Sequence, residues 1–344
     1  MVQLKYTEDN LYSELAFAKP HEACGQRLHG GLDAKGQYLP PRAKGRNEAL
    51  NAWAEALRER GGDLFDAQPS LLSGPQMPNL AQHQLLLREG VGKPFWNMLT
   101  TIGKIEVRGR LLAEMQFPDL QDILVEDVSE MALGHLNTGL LAIHGIDEGG
   151  EPDKGIGGHD VMWFVVRDMV FDAGAYPDVE PPETISRPES DRRWMPEIPP
   201  EYEGLLSLLL NLLIIEFRAE NGFINTQKIL RTTDLFTDRR EAAEEAAEII
   251  ERIRTDEEIH VRSLQIYLGE LRELTIKKVD GGTIKGSELI DRFWGELVQW
   301  ATVEQPKLNA LAELESLTAI IREHPNSESI LPVFLELGDI QPSA

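Results

Sequence analysis

A carboxylate and an imidazole share one face of a strongly helical segment near residue 260. Glu257 and His260 are three residues apart in the string 256–260, Asp-Glu-Glu-Ile-His, and this spacing places both side chains on one side of an α-helix. Carboxylate oxygen combined with imidazole nitrogen is a donor set that iron and manganese accept. A solvated acidic face with one histidine has the same pattern, so the motif indicates a metal site only if further ligands point to it.

A second acidic residue stands at the end of a run that is apolar on almost every side. Glu216 follows the run 205–215 and precedes Phe217, so we expect it to be buried. An ionised carboxylate in such a place costs several kcal/mol unless it is paired or bound to a metal. Glu216 is therefore a candidate ligand, and its alternative is a buried ion pair with the nearby Arg218.

The same local string occurs earlier in the chain. Residues 105–108, Ile-Glu-Val-Arg, match residues 215–218, Ile-Glu-Phe-Arg, apart from one apolar exchange. Glu106 is therefore expected to be a second inward carboxylate on a corresponding helix. Arg108 and Arg218 are expected either to form ion pairs with the two carboxylates or to hold ligand carboxylates from behind.

The elements that must position these residues are helices, because strand signals are thin and apolar residues recur at helical spacing. Helices are predicted over the stretches 46–60, 94–116, 119–145, 159–172, 201–232, 238–275, 285–303 and 305–323. Residues 20–45 are rich in Gly and Pro and are expected to form an irregular arm. Residues 276–284 suggest a small hairpin, and the tail after Pro325 is expected to be poorly ordered at its end.

One connection is unusually long. The stretch 173–204 holds seven prolines, which excludes a helix and predicts an extended crossover. Two helix pairs joined by one such crossover are the topology of an all-α four-helix bundle. The expected division is an arm with helices over 1–93, the bundle over 94–275 and a helical extension over 276–344.

The order of the candidate ligands resembles that of a known superfamily. Glu106, Glu216 and Glu257-x-x-His260 on successive helices resemble the ferritin-like di-iron or di-manganese carboxylate proteins, in which two helices each give a Glu and two others each give Glu-x-x-His. The resemblance covers 94–275. It implies a ferritin-like bundle with additional N- and C-terminal helices, which binds two iron ions, two manganese ions or one of each.

The second predicted helix departs from the motif of this superfamily. Glu130 and His135 are five residues apart, which separates them by about 140° around a regular helix. A π-type bulge eased by Gly134 would bring them to one face. The ligand set that the resemblance implies is Glu106, Glu130, His135, Glu216, Glu257 and His260. If His135 is a core histidine bonded to a carbonyl instead, one metal loses its nitrogen ligand.

Several other histidines have a simpler interpretation. His144 lies on the opposite helical face from His135 and is expected to be structural or to stand at a helix end. His159 and Asp160 follow a glycine pair and are expected to cap a helix. His21 and His29 lie near the single cysteine in a Gly-rich arm that fits no defined metal spacing.

Composition narrows the range of partners. The 344 residues include 34 Lys and Arg against 58 Asp and Glu, a net charge of −24, which argues against binding to nucleic acid or to an anionic membrane. The single Cys24 excludes an intramolecular disulfide framework and Cys-based metal sites. The most apolar run, 205–215, is too short to span a bilayer. The expected location is the cytoplasm.

The resemblance implies an oxidoreductase or oxygenase that uses O₂ or peroxide on a small substrate, with the 173–204 segment over the mouth of its pocket. A homodimer is an open possibility. One alternative is a non-catalytic scaffold or partner-binding protein whose Glu106 and Glu216 are ion-paired, in which case His135 or His260 faces solvent. Another is a metal-independent enzyme that uses carboxylates as acid and base.

Overall fold

The computed structural model describes residues 3–72, 77–183, 185–187 and 192–339. Most of this part of the chain is helical. Its α-helices are α1 Glu8–Leu11, α2 Ala43–Glu59, α3 Leu80–Arg88, α4 Lys93–Gly109, α5 Leu140–Gly149, α6 His159–Val170, α7 Pro200–Arg231, α8 Arg240–Glu273, α9 Gly286–Gln299, α10 Gln305–Arg322 and α11 Ser327–Leu337. Shorter helical segments include the 3₁₀ helices Arg110–Ala113 and Ala132–Thr138 and a π turn over Trp300–Glu304.

Two small antiparallel sheets complete the secondary structure of these ranges. The first has strand order β1-β2-β3, and the second pairs β4 with β5. The strands are β1 Lys19–Ala23, β2 Gln26–Leu32, β3 Tyr38–Leu39, β4 Thr275–Lys277 and β5 Thr283–Lys285. The predicted hairpin over 276–284 is thus confirmed. The arm 20–45 is not irregular as expected, because a hairpin turn at Cys24-Gly25, both with positive φ, lets β1 and β2 pair.

The long helices α7 and α8 lie within about two residues of their predicted bounds and pack against each other. Proline at the start of α7 suits a first helical turn, where no amide hydrogen bond is lost. Helix α8 also packs on α6, and α6 packs on α4. Helices α4 and α7 do not pack against each other to a comparable extent, so a gap remains between these two helices.

The predicted helix over 119–145 is wrong. Only its end forms a helix, α5, and the part before it folds as turns around the 3₁₀ segment Ala132–Thr138. Gly139 has φ +121, which interrupts the helix, while a Cβ on Gly134 would lie 2.3 Å from the Val128 carbonyl oxygen. The Glu270 carboxylate accepts a hydrogen bond from Leu133 N at 3.1 Å, so this buried turn keeps its amides paired without a helix.

One hydrophobic core contains residues from all three stretches of the expected division, including Trp53, Leu206 and Trp294. Farther along the chain, the tail after Pro325 forms α11 up to Leu337, and the end of the tail, where poor order is expected, lies in the residues 340–344. Residues 340–344 lie outside the described part. Within the described part, none of the helices has the length and apolar character needed to cross a bilayer.

Candidate metal centre

A cluster of carboxylates and imidazoles lies where α4, α5, α6, α7 and α8 meet. Its members come from all five helices, and all but the half-buried Glu106 are buried. Two sets of donor atoms could each hold a metal ion, because the atoms of each set lie within 4.8 Å of one another. The first set is His144, Glu148, Glu216 and His260, and the second is Glu148, His159, Glu257 and His260.

The donor atoms of the cluster lie at contact distance from one another. His144 Nε2 is 2.9 Å from Glu216 Oε1, and His260 Nδ1 is 2.9 Å from Glu257 Oε2. Glu148 Oε1 is 3.3 Å from His260 Nδ1 and 3.4 Å from His159 Nδ1. Because Glu148 and His260 belong to both sets, two ions bound here would be neighbours.

The carboxylates of the cluster divide into two groups by pKa. Burial and the charge of Glu148 raise the pKa of Glu106 well above its usual range, and burial and the charge of Glu257 do the same for Glu216. Burial opposes ionisation of Glu148 too, but the hydrogen bond from Glu106 and the charge of His159 outweigh it, so the pKa of Glu148 lies well below its usual range. The pKa of Glu257 is also lowered, because the charges of His159 and His260 outweigh burial and the charge of Glu148.

The pKa values of the three imidazoles in the cluster are shifted as well. Burial disfavours charge on His159 and His260, but the neighbouring carboxylates, Glu257 foremost, raise the pKa of both rings well above its usual value. Burial lowers the pKa of His144 to about 3, so this ring is neutral.

The donor set fits a divalent cation. Glu148 Oε1 and His159 Nδ1 are buried, and neither makes a hydrogen bond of good geometry within the described chain, although they face each other. Buried polar atoms of this kind are rare in native structures, and a metal ion between them would satisfy both. Oxygen and nitrogen donors without thiolate suit iron or manganese.

Asp147, held by two arginines, orients His260 through the ring nitrogen that points away from the cluster. Asp147 accepts hydrogen bonds from Arg42 Nη2 at 2.5 Å and Arg46 Nη1 at 2.6 Å, and its Oδ2 is 3.1 Å from His260 Nε2. Burial raises the pKa of Asp147, but the two arginines outweigh burial and hold it well below its usual range. His260 Nδ1 is thereby directed at the cluster, as carboxylate partners of metal-binding histidines do.

A second aspartate plays the same part for His159. Asp256 Oδ2 accepts a hydrogen bond from Tyr38 Oη at 2.8 Å and lies 3.1 Å from His29 Nε2 and 3.4 Å from His159 Nε2. His29, His159 and Asp256 form a third set of possible metal donors. His21 and His29 fit no metal spacing in the sequence, but the small N-terminal sheet brings His29 and Tyr38 into contact with Asp256 beside the cluster.

Four of the six expected ligands meet in the cluster, namely Glu106, Glu216, Glu257 and His260. Glu130 and His135 do not. Glu130 is exposed. His135 is a core histidine that donates from Nδ1 to Met131 O at 2.6 Å and accepts at Nε2 from Tyr6 N at 3.0 Å. Both ring nitrogens of His135 are hydrogen-bonded, so neither is available to a metal ion. The cluster contains His144, Glu148 and His159 in place of Glu130 and His135.

The two expected partner arginines lie elsewhere as well. Arg108 donates to the carbonyl oxygens of Pro182 and Glu183, and Arg218 donates to Gln305 Oε1. Neither forms an ion pair with Glu106 or Glu216 in the described chain. The scaffold alternative expected such pairs and a solvent-facing His135 or His260, whereas both histidines are buried.

The sequence does contain a signal for the residues that were missed. His144 and Glu148 are four residues apart, a helical spacing in the order opposite to Glu-x-x-His. The glycine pairs 149–150 and 157–158 then bring the end of α5 against the start of α6. A Cβ on Gly158 would lie 2.4 Å from Gly150 N and 2.7 Å from Glu148 O, so only glycine permits the approach that sets His159 beside Glu148. The expected cap of α6 by His159 and Asp160 is wrong: the N-cap is Gly158 without a side-chain cap hydrogen bond, and Asp160 Oδ1 accepts a hydrogen bond from Gly158 N at 3.2 Å.

Two cavities flank the cluster in the opening between α4 and α7. The smaller, about 510 Å³, is lined by Glu106, Glu216 and Glu257. The larger, about 990 Å³, is lined by Glu106, His144, Glu148 and Glu216, and the described residues of the Pro-rich connection, including Trp194, form part of its wall. The cluster therefore has space for a small molecule on two sides.

Comparison with known proteins gives no relative. No family model, no curated protein and no solved structure matches the chain.

Proposed function

We propose that this chain is a di-metal carboxylate oxidoreductase that uses O₂ or peroxide on a small substrate. The supporting observation is the pair of overlapping donor sets, which share Glu148 and His260 and contain oxygen and nitrogen donors only. Glu106, His144, Glu148, Glu216, His159, Glu257 and His260 would hold the two ions. Bound iron or manganese would supply the capacity to activate O₂ or peroxide and to accept or donate electrons.

The ferritin-like arrangement is part of the same proposal. Helices α4, α6, α8 and α7 follow one another by packing contacts, as in a bundle, and the short α5 packs against both α4 and α6. In this variant the second helical ligand motif is divided between α5, with His144 and Glu148, and α6, with His159. The resemblance thus supports the bundle with a modified second helix.

The chain's own contribution is to hold the donors and to exclude water. The aspartates 147 and 256 fix the rings of His260 and His159, so little reorganisation is required when an ion binds. The isoleucines 105 and 215 line both cavities and keep the surroundings of Glu106 and Glu216 apolar. Such an environment protects reactive species from side reactions with water.

The experiment is the metal content of purified protein and of protein loaded anaerobically with ferrous iron or manganese. We expect about two ions per chain and their loss in Glu257→Gln. Glu258→Gln is the matched control, because Glu258 is the exposed neighbour on the same helix. Oxygen consumption by the iron-loaded protein, absent in Glu257→Gln, tests the redox part.

Two outcomes would contradict the proposal. Folded protein that binds no metal after anaerobic loading would leave the cluster as a hydrogen-bonded network of shared protons. Equal metal content in Glu257→Gln and in Glu258→Gln would place the metal elsewhere.

A further inference from the structure

The smaller cavity contains a cation without a carboxylate partner in the described chain. Arg218 lies on α7 two residues beyond Glu216, and both line this cavity. The contact found for its guanidinium is the 2.7 Å hydrogen bond from Nη1 to Gln305 Oε1. The Arg218 side chain is half-buried, and a partly desolvated charge without a counter-ion is costly. An anion from outside the chain would remove that cost.

The wall opposite α7 is polar and belongs to α10. Gln305 and Asn309 are four residues apart on one face of this helix, and both line the cavity. Helix α10 begins directly after the π turn Trp300–Glu304, a distortion that is frequent at functional sites. Their amide groups can donate further hydrogen bonds to an anion.

The remaining wall is apolar and leads to the metal centre. Ile102, Ile105, Ile214 and Phe223 line the cavity together with Glu106, Glu216 and Glu257 of the cluster. Glu313 also lines the cavity, but it is exposed to solvent, which screens its charge.

We propose that this cavity binds a small monocarboxylate with an apolar body, whose carboxylate contacts Arg218 and the amides of Gln305 and Asn309. The guanidinium fork matches a carboxylate, and the apolar body would lie against the isoleucines and Phe223, facing Glu106, Glu216 and Glu257. The inference names the substrate class for the proposed function and rests on it only for the part of the ligand that faces the metal centre.

The test is a calorimetric titration of 3-phenylpropionate into the protein, both as purified and after removal of metal by a chelator, with 3-phenylpropanol as the uncharged probe. We expect the acid to bind and the alcohol to bind far more weakly. Arg218→Met should raise the Kd for the acid about 10- to 100-fold, as expected for lost hydrogen bonds to a charged group, and Arg218→Lys should fall between. Arg231→Met is the control, because Arg231 is on the same helix and pairs with Glu244 and Glu248 at the surface.

A second pair of variants tests which of the two cavities binds the acid, and leaves Arg218 unchanged. Ala310 lines only the smaller of the two cavities and Leu208 only the larger. Ala310→Phe should abolish binding of the acid, and Leu208→Phe should leave it unchanged. This pair decides the matter if Arg218→Met does not fold.

Three results would overturn the inference: no binding of the acid in either metal state, equal affinity for acid and alcohol, or an unchanged Kd in both Arg218→Met and Ala310→Phe. Metal content is measured in parallel. Arg218-dependent binding by a chain that takes up no metal would contradict the proposed function alone, and metal uptake without such binding would contradict this inference alone.

Discussion

His135 and His144 are both buried, but their rings have different neighbours. His135 donates to one backbone carbonyl and accepts from one amide, so it resembles a structural core histidine. His144 faces Glu216, and its ring stacks on His260 with centroids 3.9 Å apart. A buried imidazole among carboxylates is a candidate metal ligand, whereas one saturated by backbone is not.

We therefore predict opposite effects of two alanine substitutions. His144→Ala should weaken metal binding at least about tenfold, measured by competition with a chelator, because a nitrogen donor is lost. His135→Ala should leave the metal affinity unchanged and lower the free energy of unfolding by about 1–3 kcal/mol, because Tyr6 N and Met131 O lose their partner. Urea denaturation measures the second effect. A metal affinity that falls in His135→Ala but not in His144→Ala would reverse the assignment.

At the scale of elements, the long helices could be predicted from the sequence and the second ligand helix could not. Helices α7 and α8 carry continuous apolar periodicity over 32 and 34 residues, so their bounds and the carboxylates Glu216 and Glu257 follow from pattern. Residues 119–138 also place apolar side chains at helical spacing, but these are buried in turns. Burial on several sides imitates helical periodicity, so a single sequence does not distinguish the two.

The end of α5 and the start of α6 meet at Gly150 and Gly158, a contact that we call the α5–α6 joint. It could not be predicted from the sequence for another reason. Glycine pairs mark a turn in sequence, but which helices they bring together depends on packing far along the chain. Here the backbones at Gly150 and Gly158 approach so closely that no Cβ fits, and this closeness sets His159 beside Glu148.

Gly158→Ala is predicted to separate this joint. The added Cβ would meet backbone atoms at 2.4–2.7 Å, so we expect the free energy of unfolding to fall by at least about 2 kcal/mol and the metal content to fall with it. Gly295→Ala, in the exposed part of α9 with nothing within 4 Å of the new Cβ, is the control and should stabilise the protein by about 0.5–1 kcal/mol. Thermal denaturation and metal analysis measure both. Unchanged metal content in a folded Gly158→Ala protein would show that the joint does not position the ligands.

At the scale of the whole molecule, the proposed metal centre would place metal ions and protons in competition for the same donor atoms. The pKa values of Glu106, Glu216, His159 and His260 are all raised well above their usual range, which favours retention of their protons when no metal is bound. A bound cation must displace them, so metal affinity should rise with pH and fall as pH drops.

This competition gives a quantitative prediction. Release of one or more protons per ion makes the apparent affinity fall at least about tenfold for each pH unit lowered. Calorimetric titration with Mn²⁺ at neutral pH, in buffers of different ionisation enthalpy, counts the protons directly. A titration at two pH values with equal affinity and no released protons would mean that the cluster is not the binding site.

The charge balance of the cluster bears on how the proposed centre would be assembled. The pKa values of Glu148 and Glu257 are lowered and those of His159 and His260 are raised, so two carboxylates balance two imidazoles and the cluster has no large excess of charge. Unlike a zinc finger, which requires its ion in order to fold, the proposed centre would not need an ion to balance its charges, so folding would precede metal loading. Because these donors accept both ions, the choice between iron and manganese would then fall to whichever ion is supplied to the folded chain.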